Sequence, residues 1–287
     1  VAYKVLRKLR YPSLRDGLVA AYSAGQQANG GLVFRDQVGT NRDGVFEGSP
    51  LPKWEDQSIR FDGAQQIRLP SSSPSGDNDA GPLDIPEPLS IGGWFNLDDK
   101  TVSQFLVQNH FSSNLGWGIT IGAGTLYFFF ADGTTDAYNN SQVSDSFINS
   151  GEWFHVLGTF DGHVQRIYIN GVLRNSYSKT TSMVYSTTGT QRARVGNRSG
   201  GSAYMTGNAD DIAAWSRVLS PQEIRLLYNG GSRGALYEKR RKAFYFDQSI
   251  LKHSVPMAQN LEAFGVHQLK VVVVEHLGIS SEVIMAM

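Results

Sequence analysis

The sequence predicts an all-β fold in which two antiparallel sheets pack face to face. Three observations carry that expectation. From Gly17 to about Thr206, short runs rich in β-branched and aromatic residues alternate with turn signals. Several of those signals are Asp-Gly or Asn-Gly pairs, which tolerate the positive φ of type I′ hairpin turns. A single run with helical periodicity closes this body, and one short helix after about a dozen strands indicates a sandwich. The composition agrees: 31 glycines and 11% aromatics beside 18% charged residues suit a chain of strands and tight turns.

The expected strands, in order, are Leu18–Ser23, Ser58–Phe61, Gln66–Leu69, Leu89–Leu97, Gln104–Gln108, Trp117–Ile121, Leu126–Ala131, Trp153–Phe160, Gln165–Ile169 and Arg192–Gly196. Trp153–Phe160, Asp161-Gly162, Val164–Ile169, Asn170-Gly171 and Val172–Asn175 read as a three-stranded meander. Ser71–Pro88, with Pro74, Pro82, Pro86 and Pro88 after Pro70, reads as an exposed loop. In Leu126–Phe130, Tyr127 and Phe129 share one face while Leu126, Phe128 and Phe130 share the other, so this strand is expected to be central. Ser220-Pro221-Gln222-Glu223 is a capping box with proline at the first helical position. Ile224, Leu227 and Tyr228 give the helix one apolar face, and Asn229-Gly230-Gly231 ends it, with a glycine expected in the left-handed closing conformation.

Composition narrows the function classes. A chain of 287 residues can bury a sizeable core without staples. It has no cysteine, which excludes disulfides, thiolate nucleophiles and Cys-based metal sites. Apolar runs such as Val271–Val274 are far too short to cross a bilayer. The balance of 26 basic and 26 acidic residues gives no global pull toward nucleic acid or membrane. It conceals a basic start: residues 1–17 hold five basic residues against one acidic. Lys4, Arg7, Lys8 and Arg10 also interrupt the apolar run a secretory signal needs, so no export signal is expected. These four are candidates for an assembly contact with an acidic partner, and a solvated arm is the simpler reading.

Five segments resemble concanavalin A-like lectin/glucanase domains of the laminin-G-like, pentraxin-related type. They are GLVAAYS (17–23), SIRFDGAQQIRLP (58–70), LSIGGWFNL (89–97), EWFHVLGTFDGHVQRIYINGVL (152–173) and GNADDIAAWSRVLSPQEIRLLYNGG (207–231). They occur in family order. The resemblance implies a two-sheet antiparallel jelly roll with one concave face, one short C-terminal helix, and extended arms. It implies positions in or near the core, rather than in a site, for Trp94, Trp153 and Trp215, and a structural role for the Asp210-Asp211 pair. Residues 1–16 are then a basic arm, 17–232 the sandwich, and 233–287 a C-terminal extension. The opening residues and the basic patch Glu238–Lys242 resemble phage-encoded members, which implies a place on a virion surface; an extracellular setting is the alternative.

Candidate chemistry is sparse. Glucanases of this fold carry Glu-x-Asp-x-x-Glu, which places a nucleophile and an acid about 5–5.5 Å apart. None of the nine glutamates here has Asp two positions later, so a non-catalytic module is expected. Adjacent Asp210 and Asp211 are expected to face opposite sides of a strand. His155 is expected to be packed and hydrogen-bonded. Trp117, Tyr127, Tyr138 and Tyr204 are candidates for stacking on a sugar ring. Calcium is the one candidate cofactor, for the loop clusters Asp77 with Asp79 and Asp36 with Asn41; solvated acidic loops are the alternative. The extension holds Leu269–Leu277, whose Val271 and Val273 are candidate assembly contacts, through a body sheet or strand addition to another subunit. The expected function is a structural or recognition module, capsid or tail decoration above all, whose partner is a virion shell or a second copy and which takes a glycan in addition. No membrane or nucleic-acid partner is expected. The alternatives are a carbohydrate-binding lectin module and a divergent glycoside hydrolase.

Overall fold

The structure is a computed structural model. It describes residues 11–26, 31–39, 43–69, 83–109, 115–133, 141–178, 181–185, 193–198, 203–234, 268–274 and 280–286. The chain divides into two compact units, Val1–Lys239 and Arg240–Met287.

The first unit is the sandwich. Its strands are β1 (Leu18–Tyr22), β2 (Val33–Phe34), β3 (Gly44–Gly48), β4 (Lys53–Glu55), β5 (Ser58–Asp62), β6 (Gln65–Arg68), β7 (Leu89–Leu97) and β8 (Gln104–Asn109), then β9 (Leu115–Gly122), β10 (Thr125–Asp132), β11 (Ser141–Ser144), β12 (Trp153–Phe160), β13 (Val164–Ile169), β14 (Val172–Ser178), β15 (Arg194–Val195) and β16 (Thr206–Trp215). The first sheet runs β14-β13-β12-β7-β16-β5-β4, with β1 also paired to β16. The second runs β11-β10-β9-β8-β15-β6-β3-β2. Every pairing is antiparallel.

Strands β7 and β12 match the sequence reading residue for residue, because long alternating apolar runs leave little choice of register. They pair with each other over eight residues. Alternation sends Leu89, Ile91, Phe95 and Leu97 into the main core with Ile119, Leu126, Phe128 and Phe130 of the opposite sheet. Phe130 and Phe160 stack across the sheets at 4.1 Å. Gly158 lets the sheets approach at one point, where a Cβ would stand 2.4 Å from the Phe128 ring. As expected, β10 is apolar on both faces, its second face pairing Phe129 with Phe105 edge to face at 6.3 Å.

A second core lies on the outer face of the first sheet. Helix α1 (Pro221–Tyr228) and the 3-10 turn Pro12–Arg15 lay Leu14, Leu219, Ile224 and Leu227 over Leu157, Ala213 and Trp215. The capping box is present: the Ser220 hydroxyl accepts from Glu223 N–H, and the Glu223 carboxylate accepts from Ser220 N–H. Arg217 grips the same carboxylate at 2.6 and 2.9 Å, and that guanidinium pulls the Glu223 pKa down to about 2. The helix closes on Asn229 at φ 46°, so asparagine rather than glycine takes the left-handed cap position.

Several expectations need correcting. Strands β2, β3, β4 and β11 lie where no strand was expected; they are short or polar and form because a neighbour supplies the ladder. The loop after Pro82 is not exposed throughout, since Leu83 and Ile85 are buried. Trp117 Nε1 and Asn109 Nδ2 both donate to Leu83 O, and the Tyr185 hydroxyl donates to Ile85 O. Of the hairpins, Asn170-Gly171 has positive φ at both residues (52° and 75°), as a type I′ turn requires. Asp161 instead accepts from the N–H groups of His163 and Val164, an Asx turn.

In the second unit, β17 (Gln268–Val274) pairs antiparallel with β18 (Ser280–Ala286), Val271 opposite Val283 and Val273 opposite Ser281. The expected strand therefore has a partner nearby in sequence that the sequence reading did not identify.

Candidate functional site

Two places hold polar groups in unusual settings: the outer face of the second sheet, and the seam along β16.

On the second sheet, alternation turns one row of side chains outward. Gln142, Tyr127, Thr120 and Phe105 follow one another across β11, β10, β9 and β8. The next row is Phe129, Gly118, Gln108, Arg194 and Arg68, crossing from β10 to β6. Gly118 has no side chain, so the Phe129 ring and the Gln108 stem close over it; a Cβ there would meet them at 2.5 and 3.1 Å. Beside this row, Glu47 accepts from Gln66 at 2.7 Å and from the Arg68 guanidinium. Gln66 in turn accepts from Asn197 Nδ2 at 2.7 Å. Arg198 stands over the Phe105 ring at 6.0 Å. Gln108 is fully buried at the base of the face, and neither end of its amide has a hydrogen bond. Buried amides are nearly always paired, so an orphan of this kind calls for an explanation.

The β16 seam has a structural origin. One edge of β16 is shared: β5 pairs with Thr206–Ala209 and β1 with Ile212–Trp215. Between them the register with β7 shifts, and Asp211 adopts φ 47°. Both carboxylates become surrogate ladder acceptors. Asp210 Oδ1 accepts from Ala24 and Asp211 N–H at 2.8 Å, Asp210 Oδ2 from Arg233 at 3.3 Å, and Asp211 Oδ2 from Gly234 N–H at 2.5 Å. Arg233 lies 3.9 Å over the Trp153 ring, which is half-buried rather than in the core. Burial, then the neighbouring Asp211 charge, raises the Asp210 pKa well above the carboxylate range; burial raises Asp211 too. The expected opposed faces are not found, because the left-handed residue breaks the strand alternation that argument assumed. Asp210 acts structurally, as an acceptor for two backbone N–H groups.

His155 sits beside this seam, 3% exposed, its ring 5.3 Å from Trp94. Burial lowers its pKa to about 3, which keeps it neutral. It is packed as expected, but its Nδ1 has no hydrogen-bond partner.

The candidate residues divide as follows. Trp117 is fully buried with its indole N–H on Leu83 O, so its face is closed to a sugar: tryptophan on the inward parity of β9 belongs to the core. Tyr127 lies half-buried on the outer face, and Tyr204 is half-buried in the turn before β16. Asp36 is buried, and its carboxylate accepts from the N–H groups of Ala21, Val38 and Gly39, which accounts for the burial through protein donors. Among the described residues no three His, Asp or Glu side chains gather to hold a metal. Tyr138, Asp77, Asp79, Asn41, Lys4, Arg7, Lys8 and Arg10 lie outside the described residues. Gln108 was missed because a lone glutamine in an apolar run gives no signal in sequence.

Two stacked antiparallel sheets, with a short capped helix closing the back of one, define a β-sandwich of the lectin type. Residues 61–225 match the family described as the Concanavalin A-like lectin/glucanases superfamily, and the chain belongs to that family. No curated protein matches the chain. Among solved structures it is similar to domain 4 of AbnA, a GH43 extracellular arabinanase from Geobacillus stearothermophilus, in complex with arabinotriose. That match has a TM-score of 0.56 and 16% identity, over 72% of this chain and 96% of that one. It is also similar to Trypanosoma rangeli sialidase in complex with sialic acid (0.56, 15%, 74% of this chain) and to the binding domain of botulinum neurotoxin DC in complex with SialylT (0.56, 15%, 76% of this chain). The chain spans 32% of the sialidase and 52% of the toxin chain. At these identities the likeness is one of fold. Among the described residues no helix is long and apolar enough to cross a membrane.

Proposed function

We propose that the sandwich is a non-catalytic glycan-recognition module that uses the outer face of the second sheet. The observation that carries this is the buried, unpartnered Gln108 amide beneath a face whose half-buried members include Tyr127 and Arg194. A guanidinium matches sugar hydroxyls, and aromatic surface matches the apolar face of a pyranose. Neither row described above holds a carboxylate, and Glu47 beside them is held by Arg68 and Gln66. A retaining glycosidase needs two carboxylates facing each other. The arabinotriose, sialic acid and SialylT bound by proteins of similar fold suggest the first probes.

The test is titration calorimetry of the full chain with arabino-oligosaccharides and sialylated oligosaccharides, after a glycan screen. Binding that weakens at least tenfold in both Tyr127→Ala and Arg194→Ala supports the reading. Binding untouched by both variants, or sugar cleavage by the wild type, overturns it.

A second reading rests on the C-terminal unit. A two-stranded hairpin is marginal alone in water, and among the described residues β17–β18 is a two-stranded sheet. Strand addition to a partner in an assembly such as a virion shell would complete it. Light scattering checks this: an oligomeric full chain beside a monomeric variant ending at Gly234 is the expected result, and two monomers refute it.

A further inference from the structure

The outer face of the first sheet encloses a small cavity beneath helix α1. The room it leaves for the centre of a water-sized sphere is about 10 Å³. Its apolar walls include Gly92, Ala213, Trp215 and Leu227. Two titratable side chains complete the lining, His155 from β12 and Asp211 from β16. Both are buried, and each brings an atom without a hydrogen bond: Nδ1 of His155 and Oδ1 of Asp211. The hydroxyl of buried Ser23 interacts with the Asp211 carboxylate, yet it too lacks a hydrogen bond of normal geometry. The Trp215 indole N–H is committed to Leu14 O at 2.9 Å, so it offers the cavity no donor.

His155 and Asp211 line the same cavity, and buried polar atoms left without a partner are rarely accidental in a folded protein. The backbone adds a second sign. Asp211 holds a left-handed conformation that an aspartate adopts at some cost, and this conformation places its carboxylate among buried groups. A cavity of this size admits one water and little more, and buried waters typically make two to four hydrogen bonds to groups the protein leaves unmatched.

We propose that this cavity is a one-water site, in which a single buried water bridges His155 Nδ1 and Asp211 Oδ1. The bridge joins β12 to β16 beneath the helix and satisfies both groups with His155 neutral. The charged groups facing it are Asp210, adjacent on β16, and Arg233, whose guanidinium reaches Asp210 Oδ2. One water thus links the imidazole to the carboxylate pair that holds the segment leaving helix α1.

The experiment is heteronuclear NMR of the full-length chain, reading cross-relaxation between water and the His155 ring protons together with the Nδ1 chemical shift. The expected result is a water cross-peak of long residence and an Nδ1 shift of a hydrogen-bonded nitrogen. In Ala213→Val, which puts two methyl groups into the cavity, the cross-peak disappears while the amide spectrum stays dispersed. Should that variant fail to fold, Asp211→Asn keeps the size of the side chain and moves the Nδ1 shift. A wild type with no water cross-peak at His155 overturns the proposal. So does a cross-peak that survives filling the cavity, or an Nδ1 shift indifferent to Asp211→Asn.

Discussion

Acidification should weaken the sandwich through His155. The perturbation is a change from pH 7.5 to pH 5.0, compared between the wild type and His155→Phe. The ring is 3% exposed, and burial depresses its folded-state pKa to about 3. An unfolded histidine titrates near 6.5. Above 6.5 both states are neutral and the group has no effect on the pH slope. Between 6.5 and 3 the unfolded chain takes up a proton that the folded chain refuses, so stability falls with pH until it levels off near 3. At pH 5.0 the lag is about 1.5 pH units, or about 2 kcal/mol at 1.36 kcal/mol per unit. The aspartate pair works in the opposite sense: raised folded pKa values make the folded state the better proton acceptor, so that contribution grows as pH falls. The wild-type slope alone is therefore ambiguous, and the difference between the two proteins isolates the histidine. Urea unfolding followed by tryptophan fluorescence at both pH values gives four free energies. From pH 7.5 to 5.0 the wild type should lose about 2 kcal/mol relative to His155→Phe. A gap constant to within about 0.5 kcal/mol would refute the depressed pKa and with it the burial of this ring away from bulk solvent.

Three further outcomes follow from packing and capping. Gly158→Ala drives a methyl into the Phe128 ring and should cost about 1–3 kcal/mol in urea unfolding; an unchanged midpoint would mean that the sheets part freely there. Ser220→Ala removes the hydroxyl that caps Glu223 N–H and should cost about 1 kcal/mol by thermal melting, with the second-sheet core unaffected. Arg233→Ala leaves Asp210 buried without its counter-charge and should cost on the order of 3 kcal/mol at pH 7.5, less in acid where the carboxyl is protonated. A cost independent of pH would place the Arg233 effect in its stacking on Trp153 instead.

The sequence was most legible where a strand is long and amphipathic or wholly apolar. Leu89–Leu97 and Trp153–Phe160 are read to the residue, and the Ser220 capping box fixes the start of the helix. It was least legible where tertiary pairing overrides local preference. Lys53–Glu55 has no strand pattern of its own and exists because Lys53, Trp54 and Glu55 find Arg60, Ile59 and Ser58 across the ladder. The candidate site was legible only in part. Parity correctly put Tyr127 opposite Leu126, Phe128 and Phe130, but parity alone could not tell which face of β9 is the core. Trp117, by sequence a candidate for stacking on a sugar, belongs to the core and holds Leu83 in place.

The β16 seam shows why an unusual acidic pair need not signal catalysis. A strand whose edge serves two neighbours must change register where one ends and the next begins, and at that point the ladder runs out of acceptors for Ala24, Asp211 and Gly234 N–H. An aspartate reaches an amide one or two residues away from the regular path, which a backbone carbonyl at the break does not. Two are needed because the amides approach from two sides, from the residues after β1 and from the segment after the helix. Burial raises both pKa values, the Asp211 charge adds to the rise at Asp210, and Arg233 offsets part of that cost. The shifted titration is then a by-product of closing the sheet, and it carries no requirement for a substrate. Gln108 differs in kind: β8 keeps its pairing with both β9 and β15 at that position, so ladder closure supplies no reason for its orphan amide. A polar group left unmatched where the backbone is already satisfied is the stronger pointer to a ligand, and for that reason the proposed recognition site lies on the second sheet.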